Sequence, residues 1–243
     1  PEFRYEHIFI DNSSTDKTVS ILKGIAKHDK NVKIIINIRN FGFIRSPYYG
    51  LIQSQGDATI LIVSDLQDPP SMIIDFIKKW EDGYKIVIGT KNKSKENQLM
   101  FLIRRFFYYV MGKVSDTDQV KNFTGFGLYD KSFIDILRKI DEPYPYFRGL
   151  VTELGFNRIE IPYVQPKRER GKTSFNFYRL YDMAMLGLVS YSKFPLRLSS
   201  FIGFITSIIS LIIAVFTLAY KLLYWNSFEV GIAAISIGIF FLG

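Results

Sequence analysis

A chain of 243 residues with 31 lysines and arginines against 23 aspartates and glutamates, net charge +8, is long enough for one sizeable domain and something more. Having no cysteine and two histidines, it excludes disulfides, thiolate metal centres and a plausible zinc constellation, so any metal must be held by oxygen; that favours Mg²⁺ or Mn²⁺ shared with a phosphate-bearing ligand. The positive excess is concentrated where Lys167, Arg168, Arg170, Lys172, Arg179, Lys193 and Arg197 face Glu169 and Asp182, a segment suited to anionic lipid headgroups and without a nucleic-acid-binding motif.

The chain opens at Pro1, with neither a methionine nor an apolar segment on a basic flank, and reads as a fragment at both ends. Apolar runs at 5–10, 32–38, 58–63 and 85–88 read as buried strands, and the stretches 17–28, 44–55 and 71–81 between them read as helices. Such alternation predicts an α/β fold built on a parallel sheet covered on both faces. The first strand closes in Asp11-Asn12-Ser13-Ser14-Thr15-Asp16, so strands one and three both end in carboxylates, and in a parallel sheet those ends share one edge.

Behind the third strand stands Ser64-Asp65-Leu66-Gln67-Asp68-Pro69-Pro70. Chemistry gathers at the carboxyl ends of parallel strands. Asp65, Gln67 and Asp68 offer hard oxygen ligands there, and the prolines turn the chain outward before the next helix. The cluster suits a divalent metal and a phosphate; the alternative is that Asp68 only caps the helix starting near Pro69.

Further on, the aromatic and basic stripe at 97–111 reads as packing with a solvated face. Residues 122–131 contain the turn-rich Thr124-Gly125-Phe126-Gly127, whose glycines permit close approach to a ligand or to another strand. Pro143, Pro145, Pro162 and Pro166 predict irregular structure over the site. At 175–191, Phe177, Leu180, Tyr181, Ala184, Met185 and Leu188 recur at three and four, which predicts an amphipathic helix lying in a membrane interface. Charge stops at Arg197, and 198–220 is long enough to span a hydrocarbon core of about 30 Å. A second apolar run, 230–243, reads as a second span cut short. Lys193 and Arg197 before the first span place the preceding domain in the cytoplasm and the Trp225 loop across the membrane. The organisation expected is a domain at 1–165, a basic loop and interface helix at 166–197, and two spans at 198–243.

Asp11-Asn12-Ser13-Ser14-Thr15-Asp16-Lys17-Thr18 is similar to the Asp-Asp-Gly-Ser-Thr-Asp-Gly-Thr of the family 2 glycosyltransferases of the GT-A fold. Arg39-Asn40-Phe41-Gly42, Gly56-Asp57, Asp65-Leu66-Gln67-Asp68-Pro69-Pro70, Tyr146-Phe147-Arg148-Gly149-Leu150 and Arg168-x-Arg170-Gly171-Lys172-Thr173-Ser174 continue the match in order. Together with the spans they resemble the membrane-anchored polyprenyl-phosphate branch, related to dolichol-phosphate mannose synthase and to bacterial prenyl-phosphate glucosyltransferases.

The resemblance implies inverting transfer of a hexose from a UDP- or GDP-sugar to a polyprenyl phosphate, with membrane spans that associate in an oligomer. It assigns Asp11, to the base, with Ser13, Asn40, Gly42 and Asp65 to the nucleotide sugar. Asp65, Gln67 and Asp68 go to Mg²⁺ or Mn²⁺, and Asp65, Arg168 and Arg170 to catalysis. Arg148, Lys172, Ser174 and Lys131 go to the acceptor phosphate, Lys131 and Arg148 because Gly125-Phe126-Gly127 stands where many relatives have Gly-Phe-Arg. Two further departures are Val63 in place of the first Asp of the usual Asp-x-Asp, and the absence of the family's opening strand. An acceptor hydroxyl would instead need a carboxylate base, for which Glu153 is the candidate; a third reading is a non-catalytic nucleotide-binding membrane scaffold.

Overall fold

The computed structural model describes residues 3–93, 120, 122–166, 177–224 and 238. Contacts divide the chain into two compact units, Pro1–Tyr191 and Ser192–Gly243. The apolar runs do form strands. In the first unit β1 (His7–Asp11) pairs in parallel with β2 (Val32–Ile36), joined by helix α1 (Thr18–His28). Asp16 accepts from the Thr18 N–H at 2.9 Å as α1 begins, and Lys27 and His28 sit in its last turn, where the helix dipole favours cations. Helix α2 (Gly42–Ile52) then leads into β3 (Ala58–Leu61). Glu6, just ahead of β1, accepts from Lys33 and from the Gln55 and Gly56 N–H groups, tying the β1–α1–β2 unit to the entry of β3.

A single 3₁₀ turn (Pro70–Met72) opens α3 (Ile73–Glu81), and β4 (Ile86–Lys93) follows. Beyond it come β5 (Phe123–Asp130), α4 (Lys131–Leu137), α5 (Phe147–Glu153), β6 (Arg158–Val164) and α6 (Phe177–Tyr191).

The second sheet runs β3-β5-β4-β6 and is mixed: β5 is antiparallel to both β3 and β4, whereas β4 and β6 are parallel. The mostly parallel single sheet expected is thus two sheets, β1–β2 parallel and β3-β5-β4-β6 mixed, so the ends of β1 and β3 do not share one sheet edge, and the run 124–127 expected to be turn-rich lies within the buried strand β5. Gly127 lets β5 approach β4: a Cβ there would stand 2.5 Å from the Val87 carbonyl oxygen. The irregular structure expected after Pro143 is likewise replaced by α5 and β6. Pro162 is tolerated because β6 is an edge strand, where a missing N–H costs no ladder bond on the free side.

Both faces of the sheet are covered, as expected. Ile86, Ile88, Phe123 and Tyr129 turn toward Tyr48 and Leu51 of α2, Phe133 and Leu137 of α4, and Leu150 and Val151 of α5. The alternate residues, Val87, Phe126 and Leu128, meet Met72, Phe76 of α3 and Tyr163 of β6. Double-sided burial is why Ile86-Val87-Ile88, the first half of β4, reads as an unbroken apolar run.

The second unit holds α7 (Phe194–Leu223), 30 residues long and about 45 Å at 1.5 Å per residue. Among the described residues it is the helix long and apolar enough to cross a membrane, with a mean hydropathy of 2.5 over its best window. Its leucine, isoleucine and phenylalanine side chains are exposed along nearly the whole length. The predicted second span at 230–243 and the stripe at 97–111 lie outside the described residues, apart from Gly238.

Candidate functional site

Two loops carry the polar groups singled out by the sequence. The first leaves β1. Asp11 is 4% exposed and its Oδ2 accepts from the Ser14 N–H at 2.9 Å, which bends the chain back at once and sets Ser13 at a φ of 67°. Asn12, unassigned from sequence, is the hub: its carboxamide oxygen accepts from the Phe41 N–H at 2.8 Å and from Asn37 at 3.3 Å, while its nitrogen donates to Asn40 at 2.9 Å and to the Gly42 carbonyl at 3.2 Å. Asn40 in turn accepts from the Gly42 N–H at 2.8 Å. Asp11, Ser13, Asn40 and Gly42 are thus brought together where β1 and β2 end.

The second loop leaves β3. Asp65 Oδ1 accepts from the Gln67 N–H at 3.1 Å, an Asx-type turn that presents a half-buried carboxylate and a half-buried carboxamide side by side. Leu66 between them has a φ of 58°, a conformation that an L side chain enters only when its surroundings impose it. Asn122, whose carbonyl oxygen accepts from the Lys91 N–H at 3.2 Å, has a φ of 59° and precedes β5 at the same end of the sheet.

Asp68 faces inward. It is 3% exposed and accepts from the Tyr163 hydroxyl at 2.6 Å. Burial pushes its carboxyl above the usual range, the Asp65 charge adds to this, and Tyr163, Lys91 and the Val63 N–H oppose it. Burial and the Asp68 carboxylate likewise push the Tyr163 hydroxyl well up.

Arg148 is half-buried near the start of α5, and both it and Asp68 act electrostatically on the hydroxyl of the buried Tyr129. Helix α6 packs close to the same motif: a Cβ on Gly187 would lie 3.2 Å from the Tyr146 ring, two residues before Arg148. Lys131 is not brought there. It follows Asp130, which pairs with Ala58 at the entry of β3, and its backbone N–H binds the Asp57 carbonyl at 2.9 Å. It therefore sits at the opposite end of the sheet from Asp65. Glu153, the candidate base for a hydroxyl acceptor, is exposed at the last residue of α5. Arg168, Arg170, Lys172 and Ser174 lie outside the described residues.

In donor chemistry Asp65 and Gln67 would suit Mg²⁺ or Mn²⁺, since both offer a hard oxygen from one turn. Among the described residues no group of three His, Cys, Asp or Glu side chains converges as a metal centre.

A family model described as glycosyl transferase family 2 matches residues 1–136. An uncharacterized glycosyltransferase of Bacillus subtilis strain 168 is 33% identical over 204 residues, which cover 84% of this chain and 63% of the relative. A prophage bactoprenol glucosyl transferase homolog of Escherichia coli K12 is 29% identical over 242 residues, 99% of this chain and 79% of the relative. The crystal structure of Staphylococcus aureus TarS 1–349 in complex with UDP-GlcNAc is similar at 13% identity and a TM-score of 0.41, over 76% of this chain and 58% of that one. The chain thus spans less than two thirds of the length of the Bacillus relative.

Proposed function

This chain belongs to glycosyl transferase family 2, and we propose that it moves a hexose, with inversion, from a UDP- or GDP-sugar to a polyprenyl phosphate at the cytoplasmic face of a membrane. The observation that carries the reading is the alignment of 99% of the chain, apolar helix included, with a relative named for bactoprenol glucosyl transfer. In this reading the fold is a GT-A domain on a membrane anchor, and α6 lies in the interface.

The Asp11–Asn12 loop, locked by Asn12, Asn37 and Asn40, walls the nucleotide. Asp65 and Gln67 would hold Mg²⁺ or Mn²⁺, which supplies positive charge against the diphosphate. The acceptor phosphate oxygen attacks the anomeric carbon, the bond from that carbon to the diphosphate oxygen breaks, and the diphosphate leaves with the electron pair. Guanidinium groups that meet this growing charge are worth most where water is excluded. Arg148, half-buried beside the site, is the acceptor-side cation among the described residues; Arg168, Arg170, Lys172 and Ser174 complete the reading. A phosphate acceptor is already an anion at neutral pH and needs no general base. The exposed position of Glu153 is in keeping with that.

The test is to incubate membranes carrying the full-length protein with labelled nucleotide sugars and polyprenyl phosphate, and to follow label into the lipid fraction. Asp65→Ala is expected to abolish transfer while the protein still inserts; full activity in that variant overturns the reading.

A further inference from the structure

The Asp68–Tyr163 pair is not used by the reaction just described. A buried carboxylate is costly to keep, and it persists where its bonds hold something in place. Here they hold the turn after β3. The Asp65 carboxylate closes on the Gln67 N–H and Asp68 turns inward behind it, leaving Asp65, Leu66 and Gln67 at the tip. The Tyr163 hydroxyl then fastens this closed loop, across 95 residues of sequence, to the edge strand β6.

Tyr163 is itself fixed. It is 6% exposed, stands edge-on to Phe126 with ring centroids 5.5 Å apart, and occupies space that exists because residue 89 is glycine: a Cβ there would come within 3.1 Å of the tyrosine ring and 2.7 Å of Phe126. The strained Leu66 shows that the tip is held in a shape it would not adopt unaided.

We infer that Asp68 and Tyr163 are positioning residues: a buried latch that presents Asp65 and Gln67 to the metal diphosphate, with Asp68 bonded inward rather than to the metal. The inference rests on the proposed function for what the tip binds, but not for the latch itself. Lys91 on β4 supplies compensating positive charge to Asp68.

The test compares the full chain in detergent as wild type, Tyr163→Phe, Asp68→Asn and Asp65→Ala. In metal-free buffer, amide hydrogen exchange over residues 63–68 is expected to quicken about tenfold in Tyr163→Phe, a factor in keeping with loss of one hydrogen bond to a charged group, while β5 amides stay protected. Wild-type exchange in that variant overturns the latch whether or not any metal binds.

Mn²⁺, titrated by EPR in the presence of UDP, is expected to bind about tenfold more weakly to Tyr163→Phe and within about threefold of wild type to Asp68→Asn, whose amide oxygen still accepts a hydrogen bond. Binding lost in Asp68→Asn but normal in Tyr163→Phe makes Asp68 a direct ligand and overturns the proposal. Wild-type Mn²⁺ binding by Asp65→Ala refutes the metal role of Asp65 instead, and the exchange result alone then decides the latch.

Discussion

Replacing Asp130 with asparagine tests whether the two ends of the mixed sheet do separate work. Asp130 closes β5 and caps α4, at the end of the sheet away from Asp65. Its carboxylate accepts from the Ser132 N–H at 2.9 Å, the Ser132 hydroxyl at 2.5 Å, the Trp80 indole N–H at 2.8 Å and the Lys85 ammonium at 3.0 Å. Burial raises its pKa, but Ser132, Trp80 and Lys85 outweigh burial and hold it at about 2, against an ordinary 3.8. At ~1.36 kcal/mol per pH unit that gap is at most about 2.4 kcal/mol. Because the Lys85 side chain is 48% exposed and screened by water, about 1–2 kcal/mol is the working figure.

The folded pKa is the lower one, so this stability is fully present above pH 3.8 and is lost as the pH falls toward 2; about half is gone by roughly pH 3. Thermal unfolding of the full chain in detergent should therefore show Asp130→Asn about 2–8 °C below wild type at pH 7. By pH 3 the gap should have shrunk by about half, while sugar transfer at permissive temperature stays unchanged. A gap that does not narrow with acid, or a loss of transfer without unfolding, refutes the reasoning.

Lys131→Ala, at that same far end, should leave transfer within about twofold of wild type, whereas Arg148→Ala should raise the acceptor KM tenfold or more; the two are compared by varying polyprenyl phosphate at saturating donor. Gly127→Ala would push a methyl against the Val87 carbonyl oxygen between two strands, and calorimetry should find it destabilised by about 1–3 kcal/mol or more. Leu66→Gly should keep its fold and its turn, since glycine accepts the left-handed backbone freely, but Leu66→Ile should lower both melting temperature and transfer, because branching at Cβ resists that conformation.

The α/β alternation was legible because β1 to β4 are bounded apolar runs, and the Asp65 turn because carboxylates behind a buried strand have few other uses. β5 was not. Its glycines imitate a turn, and of the two uses open to them, approach to a ligand or to another strand, Gly127 takes the second. Lys131 came from the resemblance, as a stand-in for the arginine of Gly-Phe-Arg. It stands four residues beyond Gly127 in sequence, but β5 is extended over eight residues, about 24 Å from end to end, and carries Lys131 away from the cleft. Tyr163 could not be found from sequence at all: its partner is 95 residues away, and a tyrosine flanked by Pro162 and Pro166 looks like surface.

What the sequence conceals is thus mostly the support rather than the chemistry, and the distribution of strain says why. Among the described non-glycine residues, positive φ occurs at Ser13, Leu66 and Asn122. Ser13 follows β1, and Leu66 and Asn122 flank the exit of β3 and the entry of β5. Each costs up to about 1 kcal/mol, least at Asn122 because asparagine tolerates this region, and each has a bond beside it: the Asp11 carboxylate on Ser14, the Asp68–Tyr163 pair two residues after Leu66, the Lys91 N–H on the Asn122 carbonyl. The opposite end, by contrast, is held by an ordinary helix cap, with Asp130 fully bonded and no strained residue beside it. The mixed sheet can thus give up stability for geometry at the end of Leu66 and Asn122 while the Asp130 end keeps the fold closed, and the β1–β2 sheet adds Ser13 by itself. Substitutions that cripple transfer without unfolding the protein should therefore fall at 11–14, 63–68 and 122–124, and those that do the reverse at 57–59 and 128–132.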